Sequence, residues 1–143
     1  MKKCPFCKDG VLERKTIKET YTYKDHSLEL DQPGEWCNVC GEGILNGADL
    51  KATEKQIRDF QAQVDGLLTS YEIRRIRKKL KLTQKQAAEI FGGGPNAFSR
   101  YERGEAIPLR STSNLLRLLD KHPEQLQELL PGNLTHEFAT QNC

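Results

Sequence analysis

Four of the five cysteines in this chain form two Cys-x-x-Cys pairs, Cys4 with Cys7 and Cys37 with Cys40. Zinc in structural sites takes four soft ligands in a tetrahedron, and each Cys-x-x-Cys turn presents two thiolates along one edge of such a tetrahedron. A glycine follows each pair closely and permits a tight backbone turn there. The pattern predicts one structural Zn²⁺ per chain, which would help to fold a segment with few apolar residues.

Three other interpretations of these cysteines fit the sequence less well. A thioredoxin-like redox pair begins a helix inside a β-α-β unit, and neither pair has that context. Disulfide bonds are uncommon in the reducing cytosol. A catalytic zinc keeps one position for water, whereas four thiolates fill the coordination shell. The three histidines, His26, His122 and His136, are therefore predicted to be ordinary polar residues, and Cys143 is predicted to be a free thiol.

The second group with a chemical role is a cluster of cations in the second half of the chain. The whole chain has a net charge of only +2. Residues 74–110, by contrast, contain ten Lys and Arg against three Asp and Glu. A local surplus of this kind is typical of a surface that binds a polyanion, although a solvated helix face gives the same count.

The pattern around this cluster predicts two short helices joined by a tight turn. Thr83, with Gln86 three residues later, forms a capping box that begins a helix over Thr83–Phe91. Gly92-Gly93-Gly94 is predicted to be the turn, and a helix over Asn96–Arg103 follows it. This helix-turn-helix geometry places a recognition helix in the DNA major groove.

The same segment resembles the phage-repressor-like helix-turn-helix family. The resemblance implies that Gln84 contacts a phosphate or a base at the groove edge and that Asn96 and Arg100 read bases. The chemistry agrees, because Asn pairs bidentately with adenine and Arg with guanine. Candidates for contacts with the DNA backbone are Lys85, Ser99, Tyr101 and Arg103. The residues that carry the resemblance are Thr83-Gln84, Ala87, Ser99-Arg100, Glu102, Gly104 and Pro108.

Several of these positions also have a structural interpretation. Asn96 can cap its helix as well as contact a base. Phe98 is predicted to lie in the core, and Glu102 to pair with a nearby Arg or Lys. The triple glycine with Pro95 departs from the family, because many relatives carry groove-reading side chains there. Base recognition is thus expected to depend mainly on Asn96 and Arg100.

The remaining pattern predicts an α+β fold: a small β-rich zinc-binding domain followed by an all-α, five-helix helix-turn-helix domain. Partial alternation indicates strands over Val11–Ile17, Thr20–Lys24 and Ser27–Leu30, with turns at Asp25-His26 and Pro33-Gly34. Apolar spacing predicts a long helix over Ala48–Leu67, after which Thr69-Ser70 is a capping site for the next helix. The five short helices are predicted over Tyr71–Leu80, Thr83–Phe91, Asn96–Arg103, Ser111–Lys121 and Pro123–Leu130.

These elements predict a zinc-binding domain with its closing helix at residues 1–66, a DNA-binding and dimerisation domain at 67–130, and a disordered tail at 131–143. The leucines of the last two helices either form a dimer interface, which would read two half-sites, or close a monomeric core. No apolar run reaches the roughly 20 residues that span a bilayer, and no signal peptide is recognised, so a cytoplasmic location is expected.

From residue 3 to about residue 130 the chain resembles the MqsA-type antitoxin family of bacterial type II toxin–antitoxin modules. The matching stretches are Cys4–Cys7, Cys37–Cys40, Arg77–Gly104 and Leu115–Glu124. The resemblance implies a homodimer whose C-terminal domain binds a palindromic operator and represses its own operon, while the zinc domain binds and neutralises a ribonuclease toxin. Residues 8–36 match weakly, so no toxin-binding residue carries over, and the strand edges within 11–30 are the candidate surface.

Two alternatives to an antitoxin and autorepressor remain. One is a stand-alone transcriptional repressor whose zinc domain is purely structural or binds another protein. The other is an enzyme with the zinc domain as an accessory, but the sequence contains no carboxylate pair, Ser/His set or Cys/His set in a catalytic context. The chain is therefore not expected to be an enzyme.

Overall fold

The computed structural model of this chain describes residues 2–130. The predicted tail at 131–143, with His136 and Cys143, lies outside the described residues. The chain forms two compact units, one up to Ile57 and the other from Arg58 onward, and together they have the predicted α+β class. Within residues 2–130, no helix combines the length and apolar character needed to cross a membrane.

The first unit contains a four-stranded antiparallel sheet in the order β1-β2-β3-β4. Its main feature is a long hairpin of β2 and β3, paired without interruption from Leu12 with Cys37 to Tyr23 with His26. The two outer strands are short and pair only with residues 11–12 and 35–36 at the base of the hairpin. The strands are β1 (Lys2–Lys3), β2 (Val11–Tyr23), β3 (His26–Cys37) and β4 (Gly43–Ile44).

The hairpin corrects three predictions made from local sequence signals. The segments predicted as separate strands, Val11–Ile17 and Thr20–Lys24, belong to one continuous strand up to Tyr23. Pro33-Gly34 lies inside β3 instead of forming a turn. Among the described residues no strand pairs with the outer side of β3 at this point, so proline is tolerated there. The turn consists of Lys24 and Asp25, with φ angles of 47° and 65°. Positive φ at both central residues matches the twist of a two-residue hairpin, which explains the shifted turn.

A polar network around the buried side chains of Gln32 and Asp49 fixes the start of helix α1 (Gly47–Val64) to the hairpin. Asn46 and Asp49 cap the helix reciprocally, since the side chain of each accepts a hydrogen bond from the backbone N–H of the other, at 2.8 and 3.0 Å. Arg14 on β2 donates two hydrogen bonds to the Asp49 carboxylate. Gln32 on β3 donates one to the Asp49 carbonyl at 2.9 Å. The predicted helix ends three residues early, at Val64, and Leu50 of its predicted apolar face is exposed.

The second unit packs short helices around an apolar core. Ile73, Ile76, Phe98, Leu116 and Leu119 are among its most buried side chains. The helices are α2 (Ser70–Lys79), α3 (Gln84–Phe91), α4 (Ala97–Glu102), α5 (Arg110–Lys121) and a final 3₁₀ helix (Pro123–Leu129).

The last element is a 3₁₀ helix rather than the predicted α-helix over Pro123–Leu130. The 3₁₀ winding is common in short helical pieces, and Leu126 anchors the segment to the core. Helix α4 begins at Ala97, one residue later than the predicted start at Asn96, and Asn96 lies just before it.

The segment between α1 and α2 is tied to the second unit by side chains. Ser113, fully buried, accepts a hydrogen bond from the Leu68 N–H at 2.8 Å. Asp59 accepts from both the N–H and the hydroxyl of Ser70, each at 2.8 Å. Thr69 and Glu72 form a capping box at the start of α2, which confirms the capping site predicted at Thr69-Ser70. The compact units therefore divide inside α1, whereas the predicted functional limit at residue 66 remains a prediction.

Candidate metal centre and nucleic-acid interface

The four paired cysteines meet at the base of the sheet. Cys4 and Cys7 lie in the loop between β1 and β2, Cys37 ends β3, and Cys40 lies in the following loop. All four Sγ atoms lie within 4.8 Å of one another, and among residues 2–130 they form the one group of this kind. The Sγ atoms of Cys4 and Cys40 are 3.7 Å apart, and so are those of Cys7 and Cys37. The loops thus bring together the whole predicted ligand set.

The spacing of the sulfurs suits a tetrahedral zinc ion. Zn–S bonds of about 2.3 Å require sulfurs about 3.8 Å apart along each edge of the tetrahedron, close to the two distances of 3.7 Å. Four sulfurs fill the shell, so a bound ion would have no open position for water. His26 and His122 lie outside this group.

The backbone around Cys37 favours the thiolate that a metal requires. The N–H groups of Cys40 and Val39 donate to the Sγ of Cys37, at 3.4 and 3.3 Å. These donors stabilise the negative charge and lower the pKa of the Cys37 thiol to about 6. Gly10 is needed here for close approach, because a Cβ on it would lie 2.5 Å from that sulfur.

The second candidate site is the helix-turn-helix formed by α3, the glycine turn and α4. The predicted capping box is confirmed: Thr83 Oγ1 accepts from the Gln86 N–H at 3.1 Å, and Gln86 Oε1 accepts from the Thr83 N–H at 2.9 Å. All three glycines have positive φ, at 86°, 97° and 91°. A Cβ on Gly93 would lie 2.9 Å from the Cβ of Ala97. Only glycine fits this turn without strain.

The two predicted base readers lie one helical turn apart. The Arg100 N–H donates to the Asn96 carbonyl at 3.1 Å, which sets both on the same side of α4. Both residues are exposed. The Asn96 side chain does not cap the helix, so that alternative is wrong. At the start of α3, Lys85 is exposed and Gln84 is half-buried.

The other residues of α4 divide between the core and the surface. Phe98 is fully buried, as predicted. Tyr101 packs edge-on against Phe98, with ring centres 5.4 Å apart, and its hydroxyl reaches the glycine turn. Ser99 is half-buried, and its carbonyl accepts a hydrogen bond from the exposed Arg103. Tyr101 and Ser99 thus contribute to packing as well as to the candidate surface.

A buried ion pair holds α4 against α2. Arg77 donates to both carboxylate oxygens of Glu102, at 2.7 and 2.8 Å, and its third donor reaches the Leu82 carbonyl at 2.8 Å. The two side chains are only 12% and 5% exposed. The predicted pairing of Glu102 with a cation is confirmed. Sequence reasoning did not identify Arg77, because it is one of several basic residues along α2.

The protein resembles known proteins over most of its length. The family described as "Antitoxin component of bacterial toxin-antitoxin system, MqsA" matches residues 1–130. Antitoxin MqsA of Escherichia coli (strain K12) is 46% identical over 129 residues, which are 89% of this chain and 98% of that protein. A solved structure of the N-terminal domain of the E. coli protein MqsA is 30% identical, with a TM-score of 0.42, and the match covers 46% of this chain and 98% of that one. The family match includes both the four cysteines and the helix-turn-helix.

Proposed function

Because the chain belongs to the MqsA family of antitoxin components, we propose that it is an autorepressor that also neutralises a ribonuclease toxin. Its C-terminal domain binds operator DNA as a homodimer, and its N-terminal zinc domain binds the toxin. The observation that carries the DNA-binding part is the placement of Asn96 and Arg100 one turn apart on an exposed helix face that follows a glycine turn. This arrangement suits insertion into a major groove.

The distribution of ion pairs supports this assignment. On α2, Arg75 and Lys79 pair with Asp120, and Arg77 pairs with Glu102. On α3 and α4, Lys85 and Arg100 make no ion pair with any part of the chain from residue 2 to 130. Cations without partners are the ones that can neutralise phosphates or contact bases. Within the same described residues, Arg74 and Lys78 on α2 are exposed and unpaired as well, so the helix-turn-helix geometry is what favours α3 and α4 as the polyanion surface. Gln84, Lys85, Ser99, Tyr101 and Arg103 lie beside the two base readers there, and Arg103 also pairs with Glu105.

The proposed homodimer forms through the C-terminal domain. Leu109 and Leu118, at the start of α5 and within it, are 73% and 48% exposed. Leucines left outside the core favour contact with a second copy, and a two-fold dimer matches a palindromic operator with two half-sites.

The metal of the four-cysteine centre is proposed to be Zn²⁺, one per chain. Cys4, Cys7, Cys37 and Cys40 would hold it, and when bound it cross-links the two loops at the base of the hairpin. A filled thiolate shell serves folding rather than catalysis, so the proposed function includes no enzymatic step.

The hairpin of the zinc domain supports the toxin-binding part. Among residues 2–130, no strand pairs with the outer edge of β2 beyond residue 12 or with that of β3 before residue 35. Long open edges accept an added strand from a partner and are usually protected in proteins that act alone. The strand edges within 11–30 are therefore the proposed toxin-binding surface.

DNA binding is tested by fluorescence anisotropy with the DNA upstream of the gene. Asn96→Ala and Arg100→Ala should each lose about 1–3 kcal/mol of specific binding, since each removes one bidentate base contact. Arg74→Ala, which removes an exposed arginine on α2, is the matched control and should bind like the wild type. If both α4 variants bound the native sequence as tightly as the wild type, the recognition helix would be assigned wrongly.

Toxin neutralisation is tested with the product of the neighbouring gene. The protein should form a stable complex with it and suppress its cleavage of RNA, and Arg100→Ala should suppress it equally well because the two surfaces differ. A chain that binds its operator but has no ribonuclease partner would instead be a stand-alone repressor.

A further inference from the structure

Asn38 lies between two cysteines of the metal centre, at the point where the hairpin ladder ends. The last ladder pair is Leu12 with Cys37. The next pair would be Val11 with Asn38, and the Asn38 N–H does donate to the Val11 carbonyl at 3.2 Å. Opposed residues of this type normally exchange two such bonds.

The second bond of this pair comes from a side chain. At Asn38 the backbone leaves the strand and turns into the loop that carries Cys40. Its amide Oδ1 accepts the hydrogen bond from the Val11 N–H instead, at 3.0 Å. The side chain of Asn38 thus takes the place of a backbone carbonyl and extends the ladder by one pair into the metal-binding loop.

This bond connects the two cysteine loops. Val11 follows Gly10, whose carbonyl accepts a hydrogen bond from the Cys4 N–H at 2.8 Å. A Cβ on Gly10 would lie 2.8 Å from Asn38 Oδ1 as well as 2.5 Å from Cys37 Sγ. The exit of the first loop therefore lies directly against the second loop, and the Asn38 amide holds them together.

We propose that Asn38 is a positioning residue of the metal centre, whose amide oxygen holds the two cysteine loops in register before the ion binds. The proposal rests on the assignment of zinc to the four thiolates. Asn38 itself does not contact the metal. Its effect is to reduce the freedom that the loops lose on binding, which raises affinity without adding a ligand.

The test is the zinc affinity of the full chain, measured by competition with a chromophoric chelator. Asn38→Ala should lose affinity about 2–10-fold, the effect expected from removing one solvent-exposed hydrogen bond. Asn38→Asp keeps an acceptor oxygen in the same place and should retain most of the affinity. Val39→Ala is the matched control in the same loop. This variant keeps the backbone N–H that donates a hydrogen bond to the Cys37 sulfur, and it keeps the Cβ that lies beside Gly10. It should bind zinc like the wild type.

Cobalt substitution supplies a second measurement. The absorption bands of the cobalt-bound protein should have the same positions in all these variants, because the four thiolates are unchanged. The Co²⁺ concentration needed for saturation should rise only for Asn38→Ala. Equal affinity of Asn38→Ala and the wild type, or equal losses in the Ala and Asp variants, would overturn the proposal. A wild-type chain that binds no zinc would remove the proposed metal itself, and with it the role of Asn38.

Discussion

The surroundings of individual Lys and Arg side chains separate those that stabilise the fold from those proposed to bind DNA. Arg77, the most buried of those on α2, is fully engaged by Glu102 and Leu82. Lys85 is exposed at the start of α3, where the backbone N–H groups add to its positive potential. The formal charge of the two residues is the same, so their surroundings decide which of them is available to a phosphate.

Lys85→Ala should weaken binding to all DNA sequences alike, because a phosphate contact positions the protein without reading bases. The slope of log affinity against log salt should become shallower by about 0.9, the value for one phosphate contact. Anisotropy titrations at several salt concentrations measure this slope. Lys121→Ala, outside α3 and α4, is the control. A loss confined to the native operator would contradict the assignment of Lys85.

The buried ion pair of Arg77 with Glu102 joins three elements, namely α2, the loop before α3 and α4, the proposed recognition helix. Arg77→Ala leaves the Glu102 carboxylate buried without a partner and should reduce the free energy of unfolding by about 3–5 kcal/mol. Replacing both residues, as Arg77→Met with Glu102→Leu, should cost much less, because no charge is left unpaired. Urea unfolding followed by circular dichroism measures both. Equal losses in the two variants would show that the pair is not the cause.

The contact between α2 and α5 predicts a dependence on pH. Arg75 and then Lys79 donate to the Asp120 carboxylate and lower its pKa to about 2, below the usual value of about 3.9. The ionised carboxylate therefore stabilises the fold above about pH 4, and this contribution is lost as the pH falls to about 2. Because Arg75 is 43% and Asp120 24% exposed, the contribution at pH 7 should be only about 0.5–1 kcal/mol.

Asp120→Asn should thus be less stable than the wild type at pH 7, and the difference should disappear towards pH 2. Urea unfolding at a series of pH values tests this, with Glu128→Gln, another exposed acidic residue near the C-terminal end of the described chain, as the control. A difference that grew as the pH fell would have the wrong sign for a carboxyl group with a lowered pKa.

The two compact units are expected to respond separately to loss of the proposed metal. Chelation with EDTA should unfold the residues around the four cysteines, because the ion supplies cross-links that a small apolar cluster does not replace. The second unit has its own larger core, so operator binding should persist. Circular dichroism and anisotropy on the same sample compare the two. If EDTA abolished DNA binding to the same extent as the structure around the four cysteines, the two units would not function independently.

The sequence predicts those parts of this molecule that depend on neighbouring residues. The cysteine pairs, the Thr83–Gln86 capping box and the glycine turn are local patterns, and the structure contains all three. The sequence pattern predicts shorter strands than the structure contains. The length of the hairpin depends on cross-strand pairing, which Pro33-Gly34 does not interrupt.

The partners in long-range polar contacts are the other part that the sequence does not predict. The partner of Glu102 lies 25 residues away, and that of Asn38 lies 27 residues away. Nothing near either residue in the sequence marks the contact, because both depend on how separate elements pack. The four-residue network of Arg14, Gln32, Asn46 and Asp49 has the same origin.

The proposed function depends most on the reading of operator bases by Asn96 and Arg100. The most direct test compares the affinity of the wild type and of the double variant Asn96→Ala/Arg100→Ala for native upstream DNA and for a scrambled duplex, at one fixed salt concentration. We expect the wild type to prefer the native duplex strongly and the double variant to bind both duplexes equally and weakly. A double variant that kept the wild-type preference would contradict this expectation.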